Sequence, residues 1–201
     1  MLSIIEGRVL GCLLEKERTV PDQYPLTMNV LIAACNQSSA RVPVMHLDVN
    51  EVEAAVGNMK VDGWVRIVHP SHGRSVTRYR HVADEKLHLD EPALALVATL
   101  LVRGPQTSAE LRSHCERMHQ FASPTAVEAE LSGVVDAGLV QRIERQPGQK
   151  EQRWRQLLAE EAELDSVDAL APAAMAGSMA ERLAHLEARV AQLERLLADL
   201  L

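Results

Sequence analysis

A helix, a glycine and a basic hairpin occur twice in this chain at one fixed offset. Gly63 and Gly138, Gly73 and Gly148, and the triplets Arg78-Tyr79-Arg80 and Arg153-Trp154-Arg155 are each 75 positions apart (63 to 138, 73 to 148, 78 to 153). An internal repeat that holds its register through a helix stop, a turn and a strand indicates one supersecondary unit built twice. At 201 residues the chain has room for two small domains of this kind.

The local signals give each unit the same order. Ser3-Ile4-Ile5-Glu6 is a capping box, and Ile5, Val9, Cys12 and Leu13 follow at helical spacing, so a first helix is predicted to about Glu17. Pro21 and Pro25 mark a loop. A second helix is predicted from about Thr27, with Val30, Leu31 and Ala34 inward and Asn36 as a left-handed cap. Arg41 to Leu47 reads as extended or irregular. Asp48 and Glu51 open a third helix, with Val49, Val52, Val56 and Met59 as its stripe and Gly63 as its stop. In 65–68 and 76–82, Val65, Ile67 and Tyr79 alternate with Arg66, Arg78 and Arg80, which predicts a hairpin with one apolar and one basic face. Asp84 to Asp90 reads as a polar bridge. The second unit repeats the plan: a helix over 92–102, a capping box at Thr107 and Glu110, and a helix opened by Ser123-Pro124 with Val127, Leu131 and Val134 inward. It closes with a hairpin of 139–144 and 151–157 turning at Pro147-Gly148.

Three helices followed by a two-stranded basic hairpin is the winged-helix order. The predicted fold is therefore mainly α with small β-hairpins (α+β): tandem winged-helix domains at 1–84 and 85–159, a linker at 160–177, and a C-terminal coiled-coil helix at 178–201. In that last segment Leu183, Val190 and Leu197 fall at a, and Met179, Leu186, Leu193 and Leu200 at d, of a heptad seam. Arg182 and Arg189 at g face Glu187 and Glu194 at e in a parallel pair. The dimerisation residues expected from this are Leu183, Leu186, Val190, Leu193, Leu197 and Leu200; the other reading packs this helix on its own domains.

Charge is distributed by segment. The whole chain carries −7, yet residues 64–82 carry +4 and residues 139–158 carry +3, while the stretch after Leu158 carries −6. Aromatic content of 2% leaves little material for stacking exposed bases, which argues against a single-strand-binding module. Cys12, Cys35 and Cys115 read as buried reduced thiols, and with no signal-type segment or membrane-length apolar run the expected location is cytoplasmic. No phosphate-binding glycine loop, HExxH or nucleophile elbow is present, so the chain reads as non-enzymatic and without a cofactor. His69 with His72, and His114-Cys115 with His119, come nearest to metal-ligand spacing, and no metal is expected at either.

The expected nucleic-acid-binding residues are Arg66, Arg74, Arg78, Arg80, Arg142, Arg145, Lys150, Arg153 and Arg155, each placed to neutralise a phosphate of double-stranded DNA. A solvated face pairing with acidic neighbours is the competing reading of the same residues. The third helices carry little for reading bases: opposite the core stripes lie Asn50, Ala54, Gly57, Asn58 and Val61, and Thr125, Ala129, Ser132, Gly133 and Asp136. Small neutral residues suit close packing against a partner protein. A DNA-associated regulator led by its wings is the first functional expectation, and a protein-interaction adaptor is the alternative.

Glu15-Lys16, Thr19, Pro21, Gln23-Tyr24-Pro25-Leu26, Asn29, Ala34-Cys35-Asn36-Gln37, Arg41 and Pro43-Val44-Met45 resemble the signature of the YceH family, bacterial proteins of unknown function. Leu100-Leu101, Arg103-Gly104, Gln106-Thr107 and Glu110-Leu111-Arg112-Ser113 extend the resemblance, as does the terminal heptad segment. It implies tandem winged-helix domains and brings no established activity or site. Tyr24, Asn29, Asn36, Gln37 and Arg41 are read as a hydrogen-bond network fixing the loop before the third helix.

Overall fold

Helix α1 (Ile4–Thr19) opens on a reciprocal cap, in which Ser3 Oγ accepts the Glu6 amide and the Glu6 carboxylate accepts the Ser3 amide at 2.8 Å. The computed structural model describes residues 1–69, 76–145 and 151–161. After a 3-10 turn at Pro21–Gln23, the remaining elements are β1 (Leu26–Thr27), α2 (Met28–Cys35), α3 (Val49–Val61), β2 (Val65–Val68), β3 (Arg78–His81), α4 (Ala83–Leu87), α5 (Glu91–Arg103), α6 (Ser108–Cys115), α7 (Pro124–Asp136), β4 (Val140–Ile143) and β5 (Arg153–Gln156). The architecture is α+β, mainly helical with small antiparallel strand pairs, as expected.

The repeat is visible in how the third helices stop. Gly63 at φ 73° and Gly138 at φ 72° take the left-handed conformation that lets the chain reverse. Across them Trp64 N–H reaches Met59 O at 2.7 Å, and Leu139 N–H reaches Val134 O at 3.1 Å. Both glycines deliver the chain directly into a hairpin.

The first helices of the two halves form the centre. Residues Gly7–Leu14 of α1 and Ala93–Val102 of α5 are buried on every side, as a helix enclosed by its neighbours must be. They approach closely because Gly7 and Gly11 present no side chain. A Cβ on Gly11 would stand 2.7 Å from Val102 Cγ1 and 2.9 Å from Leu101 Cβ, and one on Gly7 would stand 2.5 Å from Ala159 Cβ. The spacing Gly-x-x-x-Gly puts both on one face of α1. A parallel bridge between Leu2 and Ala159 and an Arg18–Glu91 ion pair at 2.9 Å also cross between the halves. Both halves lie in one compact unit, Met1–Ala162.

Several local expectations are corrected. The first hairpin gains a third strand, in the order β1-β3-β2, because Leu26 and Thr27 pair with Tyr79 and Arg78. The second half repeats this as a single bridge, Gln106 to Trp154. All four hairpin strands are four residues long: β2 spans 65–68 as expected, while β3, β4 and β5 are shorter than the alternation suggested. The polar bridge contains α4. Asn36 is not left-handed (φ −93°); its side chain holds Leu47 through the amide at 2.8 Å and the carbonyl at 2.7 Å, and Ala40 takes the positive φ instead. Val49 is 45% exposed at the start of α3, while Ala55 fills the core. The segment 178–201 with its six dimerisation residues, most of the 160–177 linker, Arg74 and Lys150 lie outside the described residues.

Candidate interaction surfaces

The basic face of the first hairpin is tied to its own chain. Arg66 and Arg80 sit directly opposite each other across β2 and β3, an arrangement of like charges that is unfavourable unless a carboxylate intervenes. Glu85 on α4 does so: it accepts two bonds from Arg66 at 2.8 and 2.6 Å and one from Arg80 at 3.3 Å. Arg78 turns along the sheet edge and donates to the carbonyls of Gln23 at 3.2 Å and Pro25 at 2.7 Å. Its repeat partner Arg153 does the same on the second hairpin, donating to Pro105 O at 2.8 Å and reaching Glu110 at 3.4 Å. The repeated arginines thus buckle each β3-type strand to the loop preceding the second helix of its half.

The rest of the second hairpin is less committed. Arg155 donates to Gln141 Oε1 at 2.9 Å, and Arg142 lies over the Trp154 ring at 4.5 Å and 3.7 Å from Glu128. Arg142 and the exposed Arg145 line a groove of about 360 Å³ between β4–β5 and the starts of α6 and α7. Its floor is fixed by Trp154 Nε1 donating to Ser108 Oγ at 3.0 Å, which in turn donates to Glu128 at 2.9 Å. Glu128 and Glu151 share the lining, so the groove carries both signs of charge.

The outer faces of α3 and α7 are largely uncovered by described residues; Asn58 is touched by Glu6, whose carboxylate accepts its side-chain amide at 3.2 Å. Asn50, Ala54, Gly57, Asn58 and Val61 are exposed, Val61 to 85%, and so are Thr125, Ala129, Ser132, Gly133 and Asp136. A Cβ built on Gly57 or Gly133 meets nothing within 4 Å. The flanks are mainly acidic: α7 carries Glu128, Glu130 and Asp136 with no Lys or Arg, and α3 carries Glu51 and Glu53 with Asp62 at its end against one exposed Lys60 in its last turn. Burial and the nearby Asp90 raise the Glu130 carboxyl above its ordinary value.

The polar motif around α2 resolves into separate sets of bonds, one at Arg41, one at Asn36 and one at Tyr24, and the exposed Asn29 takes part in none of them. Arg41 is buried, and its guanidinium donates to Ala34 O at 3.0 Å, Ala40 O at 2.9 Å, Glu15 at 2.5 Å and Gln37 at 2.6 Å. Lys16 donates to the same Gln37 oxygen at 3.1 Å. Tyr24 Oη accepts the His81 amide at 2.8 Å, and burial raises its phenol above the ordinary range. His81 Nδ1 accepts the Ala83 amide at 3.2 Å, so Nε2 carries the proton donated to Glu17 at 2.8 Å. That hydrogen bond from His81 holds the Glu17 carboxyl below its ordinary value. These contacts fix the loop before α3 and anchor β3 to α1. Of the histidines with metal-like spacing, His114 Nδ1 bonds Gln106 at 2.5 Å and His119 packs edge-on to Phe121, while Cys115 is buried against Thr99.

Residues 2–149 match the family model described as a protein of unknown function, DUF480. The chain belongs to the DUF480 family. It is 47% identical over 199 residues to a UPF0502 protein of Geobacter sulfurreducens, covering 96% of this chain and 90% of the relative. It is 42% identical over 205 residues to a UPF0502 protein of Dechloromonas aromatica, covering 98% and 95%. It is 40% identical over 207 residues to the UPF0502 protein YceH of Salmonella newport, covering 100% of this chain and 96% of that protein. None of these names carries an activity. Among the described residues of this DUF480 protein, no helix is long and apolar enough to cross a membrane. The Gly7-x-x-x-Gly11 contact and the Glu85 clamp went unread in the sequence: the first has a spacing signal, and the second has none, because nothing local tells a carboxylate on α4 from any other surface acid.

Proposed function

We propose that this DUF480 protein is a non-enzymatic adaptor built on two winged helices, and that it docks a partner protein through the outer faces of α3 and α7. One contrast carries this reading. The hairpin arginines Arg66, Arg78, Arg80 and Arg153 are engaged by carboxylates and carbonyls of their own chain, whereas both third-helix faces stand largely open. Acidic flanks would be repelled by phosphate in a DNA groove, while small neutral residues let another backbone approach closely. The matching partner surface is neutral to basic. Affinity capture with the full chain, compared with Ala54→Arg and Ala129→Arg, tests it. A stoichiometric partner lost in these variants and kept in Arg66→Ala is expected, and a partner indifferent to both faces would overturn the reading.

A second reading, association with double-stranded DNA, is favoured by Arg142 and Arg145 at the mouth of the groove beside the starts of α6 and α7. It calls for binding to duplex DNA that weakens steeply with salt and falls in Arg142→Ala with Arg145→Ala. A regulator of that kind, homodimeric through the 178–201 segment and located in the cytoplasm, would rest on this pair of arginines rather than on the first hairpin.

A further inference from the structure

Residues 42–47 run without a strand partner, yet they are held in place at both ends. Val42 donates its amide to Val102 O at 2.9 Å, and the Asn36 side chain grips Leu47 through both its amide and its carbonyl, at 2.8 and 2.7 Å. Between them Arg8 donates to Pro43 O at 2.7 Å and also to Cys35 O at 3.2 Å. Arg8 is 2% exposed, and among the described residues no carboxylate pairs with it and its Nε has no hydrogen-bond partner. Burying a guanidinium against neutral carbonyls alone is costly, and what it secures here is the path of this segment. Burial alternates along that path: Val42, Val44 and His46 face solvent while Pro43, Met45 and Leu47 are half-buried, which is the period of an extended chain.

On an extended chain the backbone groups of alternate residues point to the same edge. Pro43 and Leu47 turn theirs inward, so Val44 and His46 turn theirs to the opposite edge. Among the described residues nothing bonds the amide or the carbonyl of either. The side chains beside this edge are apolar: Val42 and Val44 are each 45% exposed, as is Val49 where α3 begins. Two exposed acids, Asp48 and Glu53, follow at its end. We propose that residues 42–46 are a docking edge for an extended segment of a partner protein. The segment adds as a strand, lays apolar side chains over Val42 and Val44, and carries a lysine or arginine toward Asp48 and Glu53. Only another extended backbone meets two donors and two acceptors in one row; a helix laid on the same valines leaves them unbonded. The acids favour a basic segment over an acidic one. Because Arg8 and Asn36 already hold the edge, docking has little of this chain left to order. This surface is distinct from the outer face of α3 and works without it.

The test exposes the folded full-length protein to a displayed library of short random peptides, which serves as the probe. Selected peptides are expected to alternate apolar residues and to carry a Lys or Arg. They should bind about tenfold more weakly to Val44→Lys, a change at a solvent-facing side chain that leaves the fold intact. Val42→Lys is a second variant with the same expectation. On binding, amide hydrogen exchange followed by NMR should slow about tenfold at Val44 and His46 and stay as it is at Leu47, already bonded to Asn36. Peptides without that pattern, no selected peptide at all, binding indifferent to both lysine variants, or protection that misses Val44 and His46 would overturn the proposal. Binding lost in Ala54→Arg and kept in Val44→Lys moves the peptide to the α3 face and also overturns it. Concentration-dependent dimerisation of the free protein that disappears in Val44→Lys makes the occupant a second copy of this chain, which contradicts the proposal as well.

Discussion

Gly11 and Gly57 are both glycines inside helices, and their surroundings give opposite expectations. At Gly11 a methyl group would enter Val102 and Leu101, so Gly11→Ala should lower stability by about 1–3 kcal/mol through overpacking of the α1–α5 contact. At Gly57 the space is open, and Gly57→Ala should raise the stability of the free protein by about 0.5–1 kcal/mol by removing conformational freedom from the unfolded chain. Urea denaturation of the two variants checks both signs. The open surroundings of Gly57 were legible from its place opposite the core stripe of α3, while the close approach at Gly11 needed the structure. Glu17 gives a pH signature at the same scale. Its folded carboxyl is held below its ordinary value by His81, so its contribution is present above the unfolded value of about 4.3 and is lost as pH falls through the folded one. The stability difference between the wild type and Glu17→Gln should be widest near neutral pH and close under acid, as read by thermal melts across pH.

Elements whose signals are local were readable, and those that depend on a distant partner were not. The capping boxes at Ser3, Asp48 and Thr107 form as read, because their donors and acceptors lie three residues apart. Thr107→Ala should therefore cost about 1 kcal/mol in thermal or urea unfolding. Strand β1 is two residues long and exists only because β3 offers it an edge, and the turn of α4 is held by Lys86 donating to Asp62 O at 2.7 Å and lying over the Trp64 ring. The basic stripe on the hairpins was legible as alternation, but what it faces was not. Arg78 and Arg153 meet loop carbonyls more than forty residues away in sequence. Replacing either by Ala should lower the melting temperature, an effect that phosphate-contacting surface residues would not show.

At the scale of the whole molecule, the 75-residue repeat announced two similar halves, yet nothing in it said that the halves share a core. The contact between α1 and α5 joins them inside one unit, which sets the open faces of α3 and α7 on a common framework instead of on independent beads. The account of function rests on those faces being the surfaces that meet other molecules. Site-specific photo-crosslinking in cells addresses it most directly, with a photoreactive residue at Ala54 or Ala129 compared with one at Arg66 or Arg145. The expected result is a discrete protein adduct from the two helix positions and none from the hairpin positions. Nucleic-acid adducts from Arg66 or Arg145, with none from Ala54 and Ala129, would contradict the account.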